Sequence, residues 1–240
     1  MTLFHNMPKK EYIRKMFDSI AGDYDMLNHI MSLDVDKSWR RKAIMAILGD
    51  GRTHDVLDLA CGTGDFSIAL AKAMGNGGGK VTGVDLSEGM LEVMKKKVAA
   101  EGLGDMISMS VGDGESLPFE EGRFSDVSIS FGIRNFEDRP AGLREMLRVL
   151  RPGGKLVILE LSMPEFPPVK WLYKLYFLHI LPWVGGRISG DKGAYRYLPA
   201  SVVGFPDHRT FMATMRECGF RNVSHKAFTF GICRMYIGEK

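Results

Sequence analysis

The chain has 240 residues, of which 45% are hydrophobic and 25% charged, and its formal net charge is +3. That length suffices for a sizeable core in one or two domains, while so mild a charge excludes the strong basic excess of a nucleic-acid-binding protein. Three cysteines, Cys61, Cys218 and Cys233, form neither a disulfide framework nor a CxxC metal pattern; they predict a reducing compartment and no metal.

The opening "MTLFHNMPKKEYIRKMFDSI" lacks the charged-then-apolar order of an export signal, so a cytoplasmic location is expected. No run reaches the roughly 18 uninterrupted apolar residues of a membrane span. Tyr12, Ile13, Met16, Phe17 and Ile20 recur at helical spacing, and a second helix is expected over about 36–48, stopping at "GDG". The basic clusters "WRRK" at 39–42 and "KKK" at 95–97 read as solvated helix faces. From residue 56 the pattern changes to alternation. Strands are expected at 56–60, 80–84, 106–111, 124–131 and 155–161. Helices fall between them at 66–74, at 88–101 behind a Ser87 cap, and at 137–150 before "RPGG". Strands alternating with helices argue for a parallel sheet covered on both faces. The tail departs from this: a helix at 207–218, then "FRNVSHKAFTF" and "ICRMYIG", too close for a parallel crossover and so an antiparallel hairpin.

The stretch "VLDLACGTGDFSIAL" places a bare glycine turn between a strand and a helix. Such a turn brings backbone N–H groups close to a ligand, and glycine leaves no Cβ in the way. Gly62 and Gly64 are the candidate cradle, but dinucleotide enzymes use the same device. Two features point elsewhere. Ser67 stands where the third glycine of a dinucleotide motif belongs, and Asp58 and Asp65 flank the loop, where they would repel a pyrophosphate and welcome an ammonium or sulfonium. That charge pattern suits S-adenosyl-L-methionine. Asp85 ends the next strand, 21 positions beyond Gly64, where a carboxylate accepts from ribose hydroxyls. Asp113, in "GDGESLPF", is placed to accept from an adenine amino group, with Gly114 leaving room for the ring.

The order Asp58, Gly62, Gly64, Asp85, Asp113 and then "RPGG" before a strand resembles class I S-adenosylmethionine-dependent methyltransferases. Three further motifs, "FDSIAGDYDMLNHIMSLDVDKSWRR", "ISFGIRNF" and "YRYLPASV", resemble the bacterial menaquinone/ubiquinone biosynthesis C-methyltransferases across essentially the whole chain. The resemblance implies an α/β, Rossmann-like fold: a seven-stranded, mostly parallel sheet with the last strand antiparallel, a helical cap over 1–50 and an inserted helical lid over 162–206, all in one domain. It also implies cofactor contacts at Thr63, Asp85, Asp113, Gly114 and Ser130. Relatives often carry Asn-Ala where this chain has Asp113-Gly114, and an acidic residue there still accepts from the adenine amine. The implied substrate is a prenylated demethyl-quinol, methylated on a ring carbon.

A quinol carbon attacks a methyl sulfonium only when an adjacent hydroxyl is ionised, so such a site must align the ring and stabilise an aryloxide. Arg134 is expected to hold the aryloxide and Asn135 to bond the ring oxygens; the bland alternative for Arg134 is a surface pair with Glu137 or Asp138. Asp25, His29, His179 and Tyr195 remain open as general base. "PPVKWLYKLYFLHILPWVGG" at 167–186 is the most apolar segment, read as a lid over a prenyl pocket resting on a membrane surface, or else as a buried core helix. A second copy of the chain is a further candidate partner; nucleic acid is not. The "SFGIRN" turn lacks the Asn/Asp-Pro-Pro-aromatic pattern of amino-group methylators of nucleic acids, and no cysteine follows a proline as in the cytosine-carbon enzymes. A nicotinamide oxidoreductase and a non-catalytic nucleoside-binding module are the rivals from other classes.

Overall fold

In a computed structural model the described residues are 7–22, 24–25, 34–75, 77–176 and 192–240, with backbone only for 192–196. Their elements run α1 Lys9–Ile20, α2 Val35–Leu48, β1 Asp55–Leu59, α3 Asp65–Met74, β2 Lys80–Asp85, α4 Glu88–Ala100, β3 Ile107–Val111 and β4 Phe124–Ser130. A single 3-10 turn, Ile133–Asn135, precedes α5 Arg139–Val149, β5 Leu150–Leu161, α6 Pro167–Leu175, α7 Lys192–Val203, α8 His208–Glu217, β6 Arg221–Phe228 and β7 Cys233–Glu239.

The seven strands form one sheet in the order β3-β2-β1-β4-β5-β7-β6. Neighbours among β1 to β5 pair in parallel, and β7 runs antiparallel to both β5 and β6. The expected tail hairpin is therefore present, with β7 inserted between β5 and β6. The central strands β1 and β4 are buried on both faces, so that Asp58, Asp126 and Ser128 lie in the interior beside the apolar residues. Alternate residues feed two cores: Val56, Val157 and Leu159 meet α2, α3 and α4, while Leu57, Leu59, Leu156 and Ile158 meet α5 and α8. α1 lies outside this sandwich and packs Ile13, Met16 and Ile20 on Met90 of α4.

Local chemistry sets the helix starts. The Ser87 hydroxyl accepts from the Met90 N–H at 3.1 Å, and Asp138 accepts from the Ala141 N–H at 2.9 Å with Pro140 in the first turn. One boundary differs from expectation. "RPGG" is not a loop between helix and strand: β5 starts at Leu150, which pairs with Phe124, and the ladder then shifts register before Asp126 meets Lys155. Gly153, at φ 76°, absorbs that irregularity.

The apolar segment at 167–186 is described only as far as 176, and there it is not a core helix. α6 buries Tyr173 but leaves Phe166, Trp171, Leu172 and Leu175 exposed. Among the described residues no helix is long and apolar enough to cross a membrane.

Candidate active site

The chain leaves β1 toward β2 and β3 on one side, then returns through β4 on the other. The β1–β4 boundary is thus the switch point, outside whose carboxyl ends ligands bind in open α/β sheets. The backbone is strained there. Ala60, just after β1, and Phe131, just after β4, have φ of 49° and 60°, a region costly for residues with a Cβ. The two strand ends also crowd each other: a Cβ on Gly132 would come within 2.5 Å of the Ala60 Cβ.

A concave crevice opens at this point, the kind of place where small-molecule sites form. Its polar wall comes from Gly62, Asp85, Gly112–Glu115, Ser130 and Asn135; Ile13, Phe17, Met90 and Phe136 give an apolar, aromatic wall. A smaller neighbour shares Tyr24, Ala60, Gly62, Ser130 and Phe131 with it and adds Asp58 and Thr63.

The glycine turn is already hydrogen-bonded in a telling way. Asp85 Oδ2 accepts from the Gly62 N–H at 2.8 Å and Oδ1 from the Ser87 N–H at 2.9 Å. Burial pushes the Asp85 carboxyl above the usual carboxylate range, opposed by the N–H groups of Ser87, Gly62 and Leu86. The amide of the glycine turn is therefore tied to the carboxylate that ends β2. Gly62, at φ 57°, has open space where a Cβ would project. The Ser130 hydroxyl is buried without a hydrogen-bond partner among the described residues. A cradle, a carboxylate at a strand end and an unsatisfied hydroxyl fit a nucleoside bearing hydroxyls.

The comparisons with known proteins agree. The sequence pattern of the ubiE/COQ5 methyltransferase family matches residues 5–240. A Geotalea daltonii protein named ubiquinone/menaquinone biosynthesis C-methyltransferase UbiE is 46% identical, covering 99% of this chain and 100% of that one. A Bacteroides fragilis demethylmenaquinone methyltransferase is 43% identical, covering 97% and 94%. The chain belongs to the ubiE/COQ5 methyltransferase family. Among solved structures, an S-adenosylmethionine-dependent methyltransferase from Thermotoga maritima superposes with a TM-score of 0.68 at 18% identity, over 95% of this chain and 99% of that one. That likeness bears on the fold alone: it is the class I methyltransferase fold.

In this family member the sequence-derived residues divide into those that line the crevice and those that do not. Gly62, Asp85, Asp113, Gly114, Ser130 and Asn135 line the larger cavity, and Asp58 and Thr63 only the smaller one. Gly64 lines neither. Its φ of 83° starts α3, and a Cβ there would strike Met94 Cγ at 2.4 Å, so its bareness serves helix packing rather than a ligand. Gly114 leaves room for the Phe136 ring, which a Cβ would meet at 2.6 Å. Asp113 Oδ1 accepts from the Glu115 N–H at 2.9 Å, and Lys10 bridges Asp113 at 2.7 Å and Glu115 at 2.8 Å. A carboxylate has about four acceptor positions, so Asp113 keeps capacity for a ligand.

Two charge readings need correction. Asp65 is no free flanking carboxylate: it bridges Lys97 and, at 3.0 Å, Arg40. Asp58 is buried and accepts from the Ser67 hydroxyl at 2.5 Å and the Ser128 hydroxyl at 2.8 Å. This flanking pair therefore carries no argument against a pyrophosphate; S-adenosylmethionine follows from the family to which the chain belongs.

Arg134 lines neither cavity. It is buried in an ion pair with Glu160, at 2.7 Å from Nη1 to Oε1, and it also donates to the Phe131 carbonyl. Neither the expected aryloxide contact nor the surface pair with Glu137 or Asp138 describes it. Of the candidate bases, His29 and His179 lie outside the described residues, as does the side chain of Tyr195. Asp25 accepts from the Thr63 hydroxyl at 2.5 Å and bridges Lys97 at 2.7 Å, which joins the N-terminal segment to the glycine turn. Sequence reasoning missed Lys10, Lys97 and Glu160. The last carried a signal: a carboxylate inside the apolar run "KLVILEL" demands a buried partner.

Asp58 gives a pH-dependent expectation. Burial raises its carboxyl to about 6 from an ordinary 3.8, against the hydrogen bonds of Ser67 and Ser128. A raised native value means that the folded state holds a proton the unfolded chain has lost between those pH values, so wild-type stability declines across that window. Asp58→Asn does not titrate. The wild-type stability relative to Asp58→Asn is expected to fall by about 2 kcal/mol from pH 4 to pH 6, and by about 3 kcal/mol in all before it levels off above about pH 7. Urea unfolding of both proteins at each pH reads this directly; a gap that widens with rising pH contradicts it.

Proposed function

We propose that this methyltransferase acts on a ring carbon of a prenylated demethyl-quinol, a demethylmenaquinol in the first place and a ubiquinone-pathway benzoquinol in the second. When bound, S-adenosylmethionine supplies an electrophilic methyl group. The observation that carries the reading is one cavity with two walls: Asp85, Asp113 and Ser130 on the polar side, Phe17, Met90 and Phe136 on the apolar side. The first set suits a nucleoside and the second an aromatic ring. Asp85 would take the ribose hydroxyls, Asp113 the adenine amine, and Gly62 the close approach of the ligand, with Asp58, Thr63 and Gly64 supporting the turn from below. Asn135 sits at the cavity wall, placed to donate to a ring oxygen as its hydrogen leaves and charge develops.

A membrane-surface contact is supported by α6. Phe166, Trp171, Leu172 and Leu175 are exposed on the same short helix region as exposed Lys170 and Lys174, the mixture that settles at an anionic interface. The test is methyl transfer to a prenylated demethyl-naphthoquinol, offered both in detergent and in anionic vesicles, with the product weighed by mass spectrometry. A quinol heavier by one methylene unit is expected in both formats. Trp171→Asp should raise the KM several-fold in vesicles and leave it unchanged in detergent. Binding of S-adenosylmethionine with no quinol methylated in either format sinks the substrate assignment; binding of NADH in its place sinks the cofactor assignment.

A further inference from the structure

The motif "YRYLPASV" has no role in the site as described so far, yet its helix grips the turn that carries Asn135. The Tyr197 hydroxyl donates to Asn135 Oδ1 at 3.2 Å. One turn further along α7, the Ser201 hydroxyl accepts from Arg134 Nε at 3.3 Å and donates to the Leu198 carbonyl at 2.8 Å. Two adjacent residues of the Ile133–Asn135 turn are thus held by two residues of α7 spaced one helical turn apart. Tyr197 is itself anchored, its ring packed on that of Tyr12 in α1 at 5.8 Å between centroids.

An asparagine amide has an acceptor end and a donor end. With Oδ1 drawn to the Tyr197 hydroxyl, which takes one of its two lone pairs, the Nδ2 hydrogens are the unengaged donors that the amide can offer the cavity. A donor binds most strongly to an oxygen that carries charge and no hydrogen of its own. It therefore favours an aryloxide over the neutral quinol, and a charge-assisted bond of that kind is stronger than a neutral one. We propose that Tyr197 is a positioning residue: by holding Asn135 Oδ1 it fixes the amide with its donor toward the cavity, so that the site selects the ionised form of an aromatic alcohol. This rests on the quinol reading of the cavity.

The surroundings keep Tyr197 a donor. Burial raises its hydroxyl above the ordinary tyrosine value, a shift that the cationic Arg134 and Arg139 oppose and that Tyr12 and Glu160 reinforce. These are the charged and titratable groups felt from the neighbouring elements, and across ordinary pH the phenol stays protonated.

The test reads ionisation, not turnover. A 2-alkyl-1-naphthol is titrated by absorbance in the presence of wild type, Tyr197→Phe, Asn135→Ala and the double variant. Tyr197→Phe keeps the ring contact with Tyr12 and removes only the hydroxyl. Wild type is expected to lower the ionisation pKa of the bound naphthol by about one unit or more, tenfold in its ionisation constant. Each single variant should return it most of the way to the solution value, and the double variant should go no further than Asn135→Ala alone. Asn135→Asp keeps an acceptor for Tyr197 but puts a negative charge where the donor was, and should bring the naphthol pKa to its solution value or above it. Wild type that leaves the naphthol at its solution value, or single effects that simply add in the double variant, overturns the proposal. Methyl transfer to the prenylated quinol, followed in parallel, separates the two readings: a depressed naphthol pKa with no methylated quinol removes the substrate assignment and leaves the positioning role standing.

Discussion

Asp85→Ala is expected to weaken S-adenosylmethionine binding by a hundredfold or more. The carboxylate ends β2 at the cavity wall and performs two tasks from one position. Its oxygens hold the Gly62 and Ser87 N–H groups at 2.8 and 2.9 Å, which shapes the turn and anchors the start of α4. They also face the space where ribose hydroxyls would lie. A hydrogen bond to a charged group contributes roughly 1.5–3 kcal/mol, and two hydroxyls share this carboxylate. Losing about 3 kcal/mol corresponds to somewhat more than a hundredfold in Kd. Asp85→Asn separates the two tasks: its one acceptor oxygen still serves a backbone N–H, but the charge and the second acceptor are gone. Calorimetric titration should therefore show Asn intermediate between wild type and Ala. Equal affinity for all three proteins would mean that the nucleoside binds elsewhere.

Much of the fold was legible because the elements that carry it have local signatures. β1, β4 and β5 lie inside the sheet, and their short clusters of Val, Leu and Ile stand out between helical periods. The hairpin announced itself through its short connection. The place of the crevice was legible for the same reason: Gly62, Asp85 and Asp113 each lie at or just beyond a strand end, and parallel strands bring their carboxyl ends together. What escaped were partners remote in sequence. Asp65 looked like a bare charge until Lys97 and Arg40 arrived from two other helices. Gly64 looked like part of the cradle until Met94 of α4 filled the space beside it. Lys10 reaches Asp113 across 103 positions, and Tyr197 reaches Asn135 across 62. No local rule links such pairs; only the docking of α1 and α7 over the sheet does. The Arg134 expectation failed in the same way, since a conspicuous arginine beside a cavity invites a ligand role unless a buried carboxylate is known to claim it.

That arginine gives the second large effect. Arg134→Ala should destabilise the protein by about 3–5 kcal/mol, because it strands a charge in the core. Glu160 is fully buried on β5; without the guanidinium it keeps only the N–H groups of Arg134 and Leu161, at 3.1 and 2.8 Å. Burial by itself depresses the ionisation of Arg134, and the neighbouring Glu160, Tyr24 and Tyr197 together more than offset this. For a chain of this size the loss amounts to roughly 6–20 °C in Tm. A fall in turnover alone would therefore not distinguish a ligand contact from a damaged fold, and a second variant is needed. Arg134→Met with Glu160→Met replaces the pair by apolar side chains of comparable length, a change that is often neutral or stabilising. This double variant should recover most of the lost stability. It should not recover turnover, because Arg134 also holds the Phe131 carbonyl and the Ser201 hydroxyl, and so fixes the turn on which Asn135 stands. Misplacing that amide by about 1 Å is enough to cost on the order of a hundredfold in rate. Thermal melts and quinol methylation measured side by side decide the matter: stability and turnover restored together would make the ion pair a fold element only, whereas stability without turnover identifies Arg134 as the residue that holds the catalytic turn in place.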